Sequence, residues 1–303
     1  MKKRILDIVK WIWIVGVIGV AGYYFYKNYQ DISGYLESIS IIRLLGSFVM
    51  LMLGKLALSE MTRYSLKKID VEIAYTDALT ITSVTQLGKY LPGGIWHIAG
   101  KFGIYKARQI SLKKSTQAIV FENIWLLSSA LVIGAVLLLL SSRAVVCAVM
   151  PYFCRSEIQN AFLVLFPTLW VAGLYVFEKI FFKNNPVILK DFLAKFLLMI
   201  AIWFSFGVSF WLVFPLQSGF LVAITGAFSL SWVAGYVAFF APGGIGVREY
   251  LLTLLLASFF SSSEVAIYAT IHRLIWVLEE ILLGAGTALI FGVPLTSAEE
   301  VEK

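Results

Sequence analysis

The chain contains six long apolar runs, and they constrain its fold more than any other feature. A helix needs about 20 residues to cross the hydrocarbon core of a bilayer, whereas a barrel strand needs about 9–11 residues of alternating polarity. The runs exceed strand length and show no such alternation. They lie at Trp11–Tyr26, Ile39–Leu58, Thr116–Leu140, Asn160–Phe182, Leu193–Phe214 and Glu264–Val293. The sequence predicts an all-α polytopic membrane protein with about six full transmembrane helices.

Composition supports a single membrane domain over residues 1–303. The chain is 60% hydrophobic and 14% charged, against about 45–50% and 25% in soluble proteins. The net charge of +7 is distributed in short clusters between the apolar runs. Such clusters orient a membrane protein, so nucleic acid is excluded as a partner. No metal or cofactor motif is present, and Cys147 and Cys154 could form a disulfide or remain two free thiols.

Two further apolar stretches, Tyr75–Phe102 and Gly219–Phe260, are each interrupted by Pro-Gly-Gly. Basic residues flank the first stretch on both sides, with the densest cluster of the chain between Lys101 and Lys114. Because basic loops stay in the cytoplasm, this stretch should enter and leave from the inner side. The second stretch has no positive charge at its flanks and should enter from the outer side. We therefore expect two re-entrant helical hairpins of opposite orientation.

Opposite orientation of two similar segments is typical of an inverted repeat. The predicted repeats cover 39–141, with its hairpin at 75–102, and 189–293, with its hairpin at 219–260. The basic residues of the N-terminus place it in the cytoplasm, and the predicted crossings return the C-terminus to the same side.

The Pro-Gly-Gly breaks are the predicted functional elements. Backbone groups freed at a break cannot face lipid, so they line a cavity or are buried in protein. Broken helices in corresponding halves mark transport sites, although two hairpins that simply fill the bundle are the alternative. The candidate substrate-binding residues are Lys89, Pro92, Gly93, Gly94, His97, Lys101, Pro242, Gly243, Gly244, Arg248 and Glu249. For Lys101 a purely topological role at the inner face is an equal alternative.

Further ionisable residues occur within the apolar segments. A charge at the bilayer centre costs about 2.5–3.5 kcal/mol on insertion scales, so such groups require a partner or a polar cavity. One interpretation is coupling to an ion, and the other is a structural ion pair such as Arg248–Glu122 or Arg273–Glu280. The candidates are Glu122, His272, Arg273, Glu279 and Glu280.

Three runs of residues resemble the lysylphosphatidylglycerol synthase transmembrane family, the flippase region of bacterial multiple peptide resistance factors. They are Leu87–Gly94, Ala118–Glu122 and Ala241–Glu249, and the resemblance extends over about Ile39–Val293. It implies a lipid-flipping bundle in which Arg248 and Glu249 are functional positions and Glu122 is a third. In relatives an arginine often follows the acidic residue, where this chain has Asn123. Fused relatives carry a soluble aminoacyl-transferase domain, so we expect a stand-alone member.

These observations predict a transporter that moves an anionic phospholipid or a polyprenyl-phosphate-linked glycan across a bacterial or archaeal cytoplasmic membrane. A membrane transferase with a lipid-linked donor is the first alternative, for which Glu122, Glu249 and His272 could supply acid–base groups. A non-catalytic partner of a lipid or polysaccharide synthesis complex is the second. The expected partners are the lipid substrate, a separate lipid-modifying or glycan-synthesis enzyme, and a second copy of the chain.

Overall fold

A computed structural model describes residues 34, 39–90, 95–141, 147, 155–183, 185–215, 218–238 and 241–294. This part of the chain is helical and contains no strand. Short 3-10 segments occur at Gly88–Tyr90, Ser218–Phe220 and Pro242–Gly244. The α-helices are α1 Ile41–Lys67, α2 Tyr75–Leu87, α3 Trp96–Ala107, α4 Leu112–Ser141, α5 Ser156–Phe181, α6 Leu189–Val213, α7 Leu221–Val237, α8 Val247–Leu256 and α9 Ser262–Phe291.

Five of these helices, α1, α4, α5, α6 and α9, are long and apolar enough to cross a membrane. They contain 25 to 30 residues each, and at 1.5 Å per residue they reach at least about 37 Å, more than the roughly 30 Å of hydrocarbon. Five of the six predicted spans are thereby confirmed as helices of spanning length. The sixth, Trp11–Tyr26, lies outside the described residues. Of the two cysteines, Cys147 is disulfide-bonded, and Cys154 lies outside the described residues.

The two interrupted stretches form pairs of short helices. Helices α2, α3, α7 and α8 contain 13, 12, 17 and 10 residues, fewer than the about 20 that a crossing requires. The first break, residues 88–95, includes Pro92, Gly93 and Gly94, which are outside the described residues. In the second break, residues 238–246, Gly243, Gly244 and Gly246 have φ of 58°, 74° and 85°. Glycine adopts this left-handed conformation without the steric cost of a Cβ, so the helix stops and the chain turns.

The two members of each short pair pack against each other. Around the first break, a Cβ on Gly88 would lie 2.8 Å from the backbone nitrogen of His97. Further from the break, a Cβ on Gly100 would lie 3.2 Å from the side chain of Thr85. These contacts pair earlier residues of α2 with later residues of α3, so the chain runs antiparallel on either side of the break. At the second break, α7 and α8 are also in contact.

The long helices enclose the short pairs. Helix α1 packs along α6, α4 packs along α7, and α2 lies against α1 and α9. Helix α8 lies against α7 and α9. This arrangement brings the two breaks together, because the segments Gly88–Tyr90 and Pro242–Gly244 are in contact.

The bundle exposes apolar side chains and buries charged ones. On α5, Leu169 is 66% exposed, and Val164, Leu165 and Ile180 are exposed as well. Nine charged side chains are buried in the described part of the chain: Lys55, Lys68, Lys101, Lys195, Glu122, Glu178, Glu279, Glu280 and Arg248. A bundle in lipid exposes apolar side chains, and its few intramembrane charges face the interior and pair with one another. This distribution and the five helices of spanning length are compatible with a multi-pass membrane protein.

Candidate functional site

A small cavity lies where the two breaks meet. We call it the interhelical cavity; its volume is about 50 Å³, and it is lined by Gln86, Lys89, His97, Trp232, Gly235, Tyr236, Ala238, Ala241, Gly243 and Arg248. The first three lining residues flank the first break and the others flank the second. A water molecule occupies roughly 30 Å³ of liquid, whereas ligand pockets measure about 300–1,000 Å³. The walls must therefore separate before any ligand of ordinary size enters.

Arg248 points into this cavity from the first turn of α8. It is 7% exposed, and its guanidinium lies 5.2 Å from the ring centres of both Phe228 and Trp276. Its stem passes over Gly235, where any side chain would collide with it. Among the described residues no carboxylate forms an ion pair with Arg248. None of the described residues accepts a hydrogen bond from its guanidinium, so its N–H donors remain available.

Arg273 supplies a second cation at the same place. It donates a hydrogen bond to the backbone oxygen of Gly243 and lies 5.8 Å from the ring centre of Tyr90. Its Nε and Nη1 are buried and have no hydrogen-bond partner in the described structure. Buried polar groups are normally hydrogen-bonded, so this guanidinium retains two unmet donors.

Lys89 belongs to a cluster centred on Glu280, which is 2% exposed. Its Nζ donates to Glu280 Oε1 at 2.5 Å, and the Tyr90 hydroxyl donates to Oε2 at 2.6 Å. The indole of Trp276 donates to Oε1 at 2.7 Å. Lys55 on α1 also forms an ion pair with this carboxylate. We call these five residues the Glu280 cluster; it links α1, the first break and α9.

Glu279 differs sharply from its neighbour. It is 0% exposed, yet neither carboxylate oxygen has a hydrogen-bond partner among the described residues. Lys55 and Lys89 lie within electrostatic reach of it, as does Glu280, but both lysines bond to Glu280 instead.

His97 and Tyr236 form the opposite wall of the cavity. His97 Nε2 lies 3.3 Å from the Tyr236 hydroxyl, and that hydroxyl donates to Asn123 Oδ1. Asn123, which stands where relatives of the resembled family often have arginine, therefore supports the cavity wall. The neighbouring Glu122 takes no part in it.

No protein-family model matches the chain, and no curated protein matches it. The resemblance to the lysylphosphatidylglycerol synthase transmembrane family thus rests on the three sequence runs alone. Of those runs, Ala241–Glu249 contributes Ala241, Gly243 and Arg248 to the interhelical cavity. The first run contributes Lys89 but ends in residues outside those described.

Two ion pairs suggested by the sequence do not form. Glu122 pairs with Lys101, whose Nζ lies 2.5 Å and 2.7 Å from the two carboxylate oxygens, and not with Arg248. Glu280 pairs with the two lysines of its cluster and not with Arg273. The ammonium of Lys101 is buried against Glu122 and lies outside the cavity lining, so its contact with a substrate stays a prediction.

His272 and Glu249 are occupied by structural contacts. His272 Nε2 lies 3.0 Å from Ser209 Oγ, and its ring packs against Phe210 and Phe228 at 5.1 Å and 5.3 Å between centres. Glu249 accepts a hydrogen bond of 2.7 Å from the backbone N–H of Gly246, which caps the start of α8. Neither side chain lines the interhelical cavity.

Sequence reasoning missed Lys55 and a second cluster that resembles the Glu280 cluster. In this Glu178 cluster, Lys195 Nζ lies 2.6 Å and Lys68 Nζ 3.1 Å from the carboxylate oxygens. The indole of Trp125 donates to Glu178 at 3.0 Å. A charged residue within an apolar run, the signal used for Glu122, would have identified Lys55, which together with Arg43 is one of the two charged residues of the run Ile39–Leu58.

A larger cavity of about 400 Å³ lies beside the Glu178 cluster, at the end of α1 and the start of α6. Its charged lining is Lys67, Lys68, Asp70, Glu72 and Asp191. The two signs are mixed, and Lys67 and Lys68 are paired with carboxylates. Two lysines face three carboxylates in this lining, so the cavity has no excess of positive charge that would select an anion.

Proposed function

We propose that this protein moves an anionic lipid across the membrane, with the head group passing through the interhelical cavity. The observation that carries the proposal is the pair of arginines at the two breaks. Arg248 and Arg273 have no carboxylate partner among the described residues, and both stand where the two broken helix pairs meet.

Unpaired cations at this depth favour a negatively charged ligand. A guanidinium presents donors in a rigid fork that matches the oxygens of a phosphate. The aromatic rings around Arg248 compensate part of its desolvation, at roughly 0.5–2 kcal/mol for a cation–π contact, but they accept none of its in-plane hydrogen bonds. A phosphodiester or phosphomonoester head group would supply those acceptors.

The architecture supports a path from both sides. The short helix pairs are too short to cross the bilayer and fold back at their breaks, as re-entrant hairpins do. We propose that they enter from opposite faces as the two halves of an inverted repeat. In transporters of that kind, the substrate site lies between the halves, and rocking of one half against the other exposes it to each side in turn.

On the resemblance described above, we place the protein as a stand-alone relative of the lysylphosphatidylglycerol synthase transmembrane family in a bacterial or archaeal cytoplasmic membrane. Its substrate is then an anionic phospholipid or a polyprenyl-phosphate-linked glycan. An enzyme that makes or consumes that lipid is the expected partner.

The test is a dithionite-quenching assay in proteoliposomes. The fluorescent lipids are labelled phosphatidylglycerol, a labelled polyprenyl-phosphate sugar and, as a zwitterionic control, labelled phosphatidylcholine. We expect the wild type to expose one of the anionic lipids faster than phosphatidylcholine. Arg248→Ala should slow that movement by about 10–150-fold, the equivalent of a charged hydrogen bond worth about 1.5–3 kcal/mol.

The matched control is Arg63→Ala on α1, because Arg63 is exposed and its ion pair is with Glu60 in the preceding turn. It should leave the rate of lipid movement unchanged. Normal movement of lipid by a folded Arg248→Ala protein would refute the role of Arg248. If no anionic lipid moves with folded wild type, the proposal fails.

The transferase alternative draws no support from the arrangement of its acid–base groups. Glu122, Glu249 and His272 each have a separate partner: Lys101, the Gly246 backbone and Ser209. Formation of product from a lipid-linked sugar by the purified protein would nevertheless favour it. The non-catalytic alternative would be favoured if variants at Arg248 and Arg273 kept full function in cells.

A further inference from the structure

Two adjacent glutamates on α9 have opposite environments, and the contrast identifies one of them as a proton site. Glu280 accepts hydrogen bonds from Lys89, Tyr90 and Trp276 and pairs with Lys55. Glu279 is equally buried, but none of the described residues donates to its oxygens. A carboxylate that is buried without a hydrogen-bond donor loses its hydration, and no other interaction replaces it. This environment therefore disfavours the ionised form of Glu279 relative to the neutral acid.

Helices α1, α2, α6 and α8 pack against α9, and the charged groups near Glu279 come from α1, the break after α2, and α9 itself. Lys55 on α1 and Lys89 after α2 lie within electrostatic reach of Glu279, as does its neighbour Glu280. Arg248 on α8 instead faces the interhelical cavity. With Glu279 neutral, two lysines share the single charge of Glu280. With Glu279 ionised, the same group of side chains has no net charge.

We propose that Glu279 binds a proton and that this proton promotes the binding of an anion in the interhelical cavity. The proposal rests on the function proposed above and adds its energy source. Lys89 is the physical link, because it lines the cavity and at the same time lies within electrostatic reach of Glu279. Protonation of Glu279 leaves Lys89 with uncompensated positive charge, and that charge attracts the head group.

Linkage is reciprocal, so the anion must favour proton binding as much as the proton favours anion binding. The proton and the anionic head group therefore travel in the same direction. Glu279 is fully buried, so it exchanges its proton only when the bundle opens, as the head group also requires. A proton gradient directed into the cell then drives the head group toward the cytoplasmic leaflet.

The proton site can be tested without knowing the lipid. We would reconstitute the protein in nanodiscs of phosphatidylcholine and record infrared spectra while the pH is raised. The wild type should show a carboxylic-acid absorption that disappears at high pH. Glu279→Gln, which imitates the neutral acid in shape, should lack that absorption. The control, Glu157→Gln at the exposed start of α5, should retain it. A spectrum of Glu279→Gln identical to that of the wild type overturns the proton site.

The linkage is tested with a soluble short-chain phosphatidylglycerol and, separately, with a short-chain polyprenyl phosphate. Binding to the wild type should weaken by about tenfold over the pH range in which the infrared absorption disappears. That change lies within the 5–150-fold typical of coupled sites. Binding to Glu279→Gln should not depend on pH. Equal pH dependence in the two proteins overturns the linkage but leaves lipid movement standing.

A pH gradient across the proteoliposome membrane completes the design. An acidic exterior should accelerate inward movement of the labelled lipid by the wild type and have no effect on Glu279→Gln. If lipid moves at the same rate with and without the gradient, the proton coupling fails while the proposed function survives. If neither anion binds and neither lipid moves, the proposed function fails together with the linkage, and the infrared result alone decides whether Glu279 holds a proton.

Discussion

Neutralising a lysine of the Glu280 cluster and neutralising its glutamate should lower the free energy of unfolding by unequal amounts. We predict that Lys55→Met lowers the free energy of unfolding by about 1 kcal/mol, in the range of the cation–π contacts that it removes. Glu280→Gln should lower it by about 3–5 kcal/mol, the cost of breaking a buried ion pair from one side. The difference arises because the cluster contains two lysines and one bonded carboxylate.

The structure accounts for both figures. In Lys55→Met, Glu280 still pairs with Lys89 and accepts from Tyr90 and Trp276, so no charge is left without a partner. The losses are the ion pair itself and the contact of Lys55 with the Trp276 ring at 4.7 Å, and a flexible methionine fills the space. In Glu280→Gln, the buried ammonium of Lys55 and the partly buried ammonium of Lys89 both lose the carboxylate to which they are bonded.

Unfolding by dodecyl sulfate in mixed micelles, followed by tryptophan fluorescence, measures both changes. Lys67→Met is the matched control, because Lys67 is exposed and pairs with Asp191 at 3.5 Å at the surface. A surface pair contributes about 0–1 kcal/mol. Equal losses for Lys55→Met and Glu280→Gln would refute the reasoning, because they would mean that an ionised Glu279 balances the second lysine.

Three other substitutions test separate parts of the structure. Gly244→Ala should destabilise the protein by at least about 1–2 kcal/mol in the same unfolding assay, because residue 244 has φ of 74° and a Cβ there would lie 2.7 Å from Cα of Gly235. Glu178→Gln should cost about 3–5 kcal/mol and leave the rate of lipid movement per folded molecule unchanged. Tyr236→Phe removes the hydrogen bond to Asn123, worth about 1 kcal/mol, and should slow lipid movement in the dithionite assay.

The spanning helices could be predicted because hydropathy and length are local properties. Each of the five described spans lies over its predicted run, and the largest discrepancy is at α1, which continues from Leu58 to Lys67. The end of an apolar run marks where lipid contact is expected to stop, whereas the helix itself continues through Glu60 and Arg63, which are good helix formers. The two interruptions could be predicted for the same reason, since Pro-Gly-Gly acts through its own backbone.

The partners of the buried charges could not be predicted in this way. Lys55 and Glu280 are separated by 225 residues, and their encounter depends on how α1 and α9 pack around the first break. Local spacing suggested Arg273 as the partner of Glu280, about two turns away on the same helix, whereas the structure pairs Glu280 with Lys55 and Lys89. The sequence did correctly group Lys89, His97, Gly243 and Arg248, because residues beside two breaks meet when the breaks meet.

Hydrogen bonding separates the ionic groups that hold this bundle together from those available to a ligand. Glu122, Glu178 and Glu280 each receive a lysine and further donors, and each joins helices that are distant in sequence. Burying a charge is costly unless every partner is present, so these groups resist any change that opens them. Arg248 and Arg273 lack a carboxylate, and Glu279 lacks a donor. All three lie close to the contact between the two breaks, so these ionic groups converge on a place where an anion and a proton would satisfy them together.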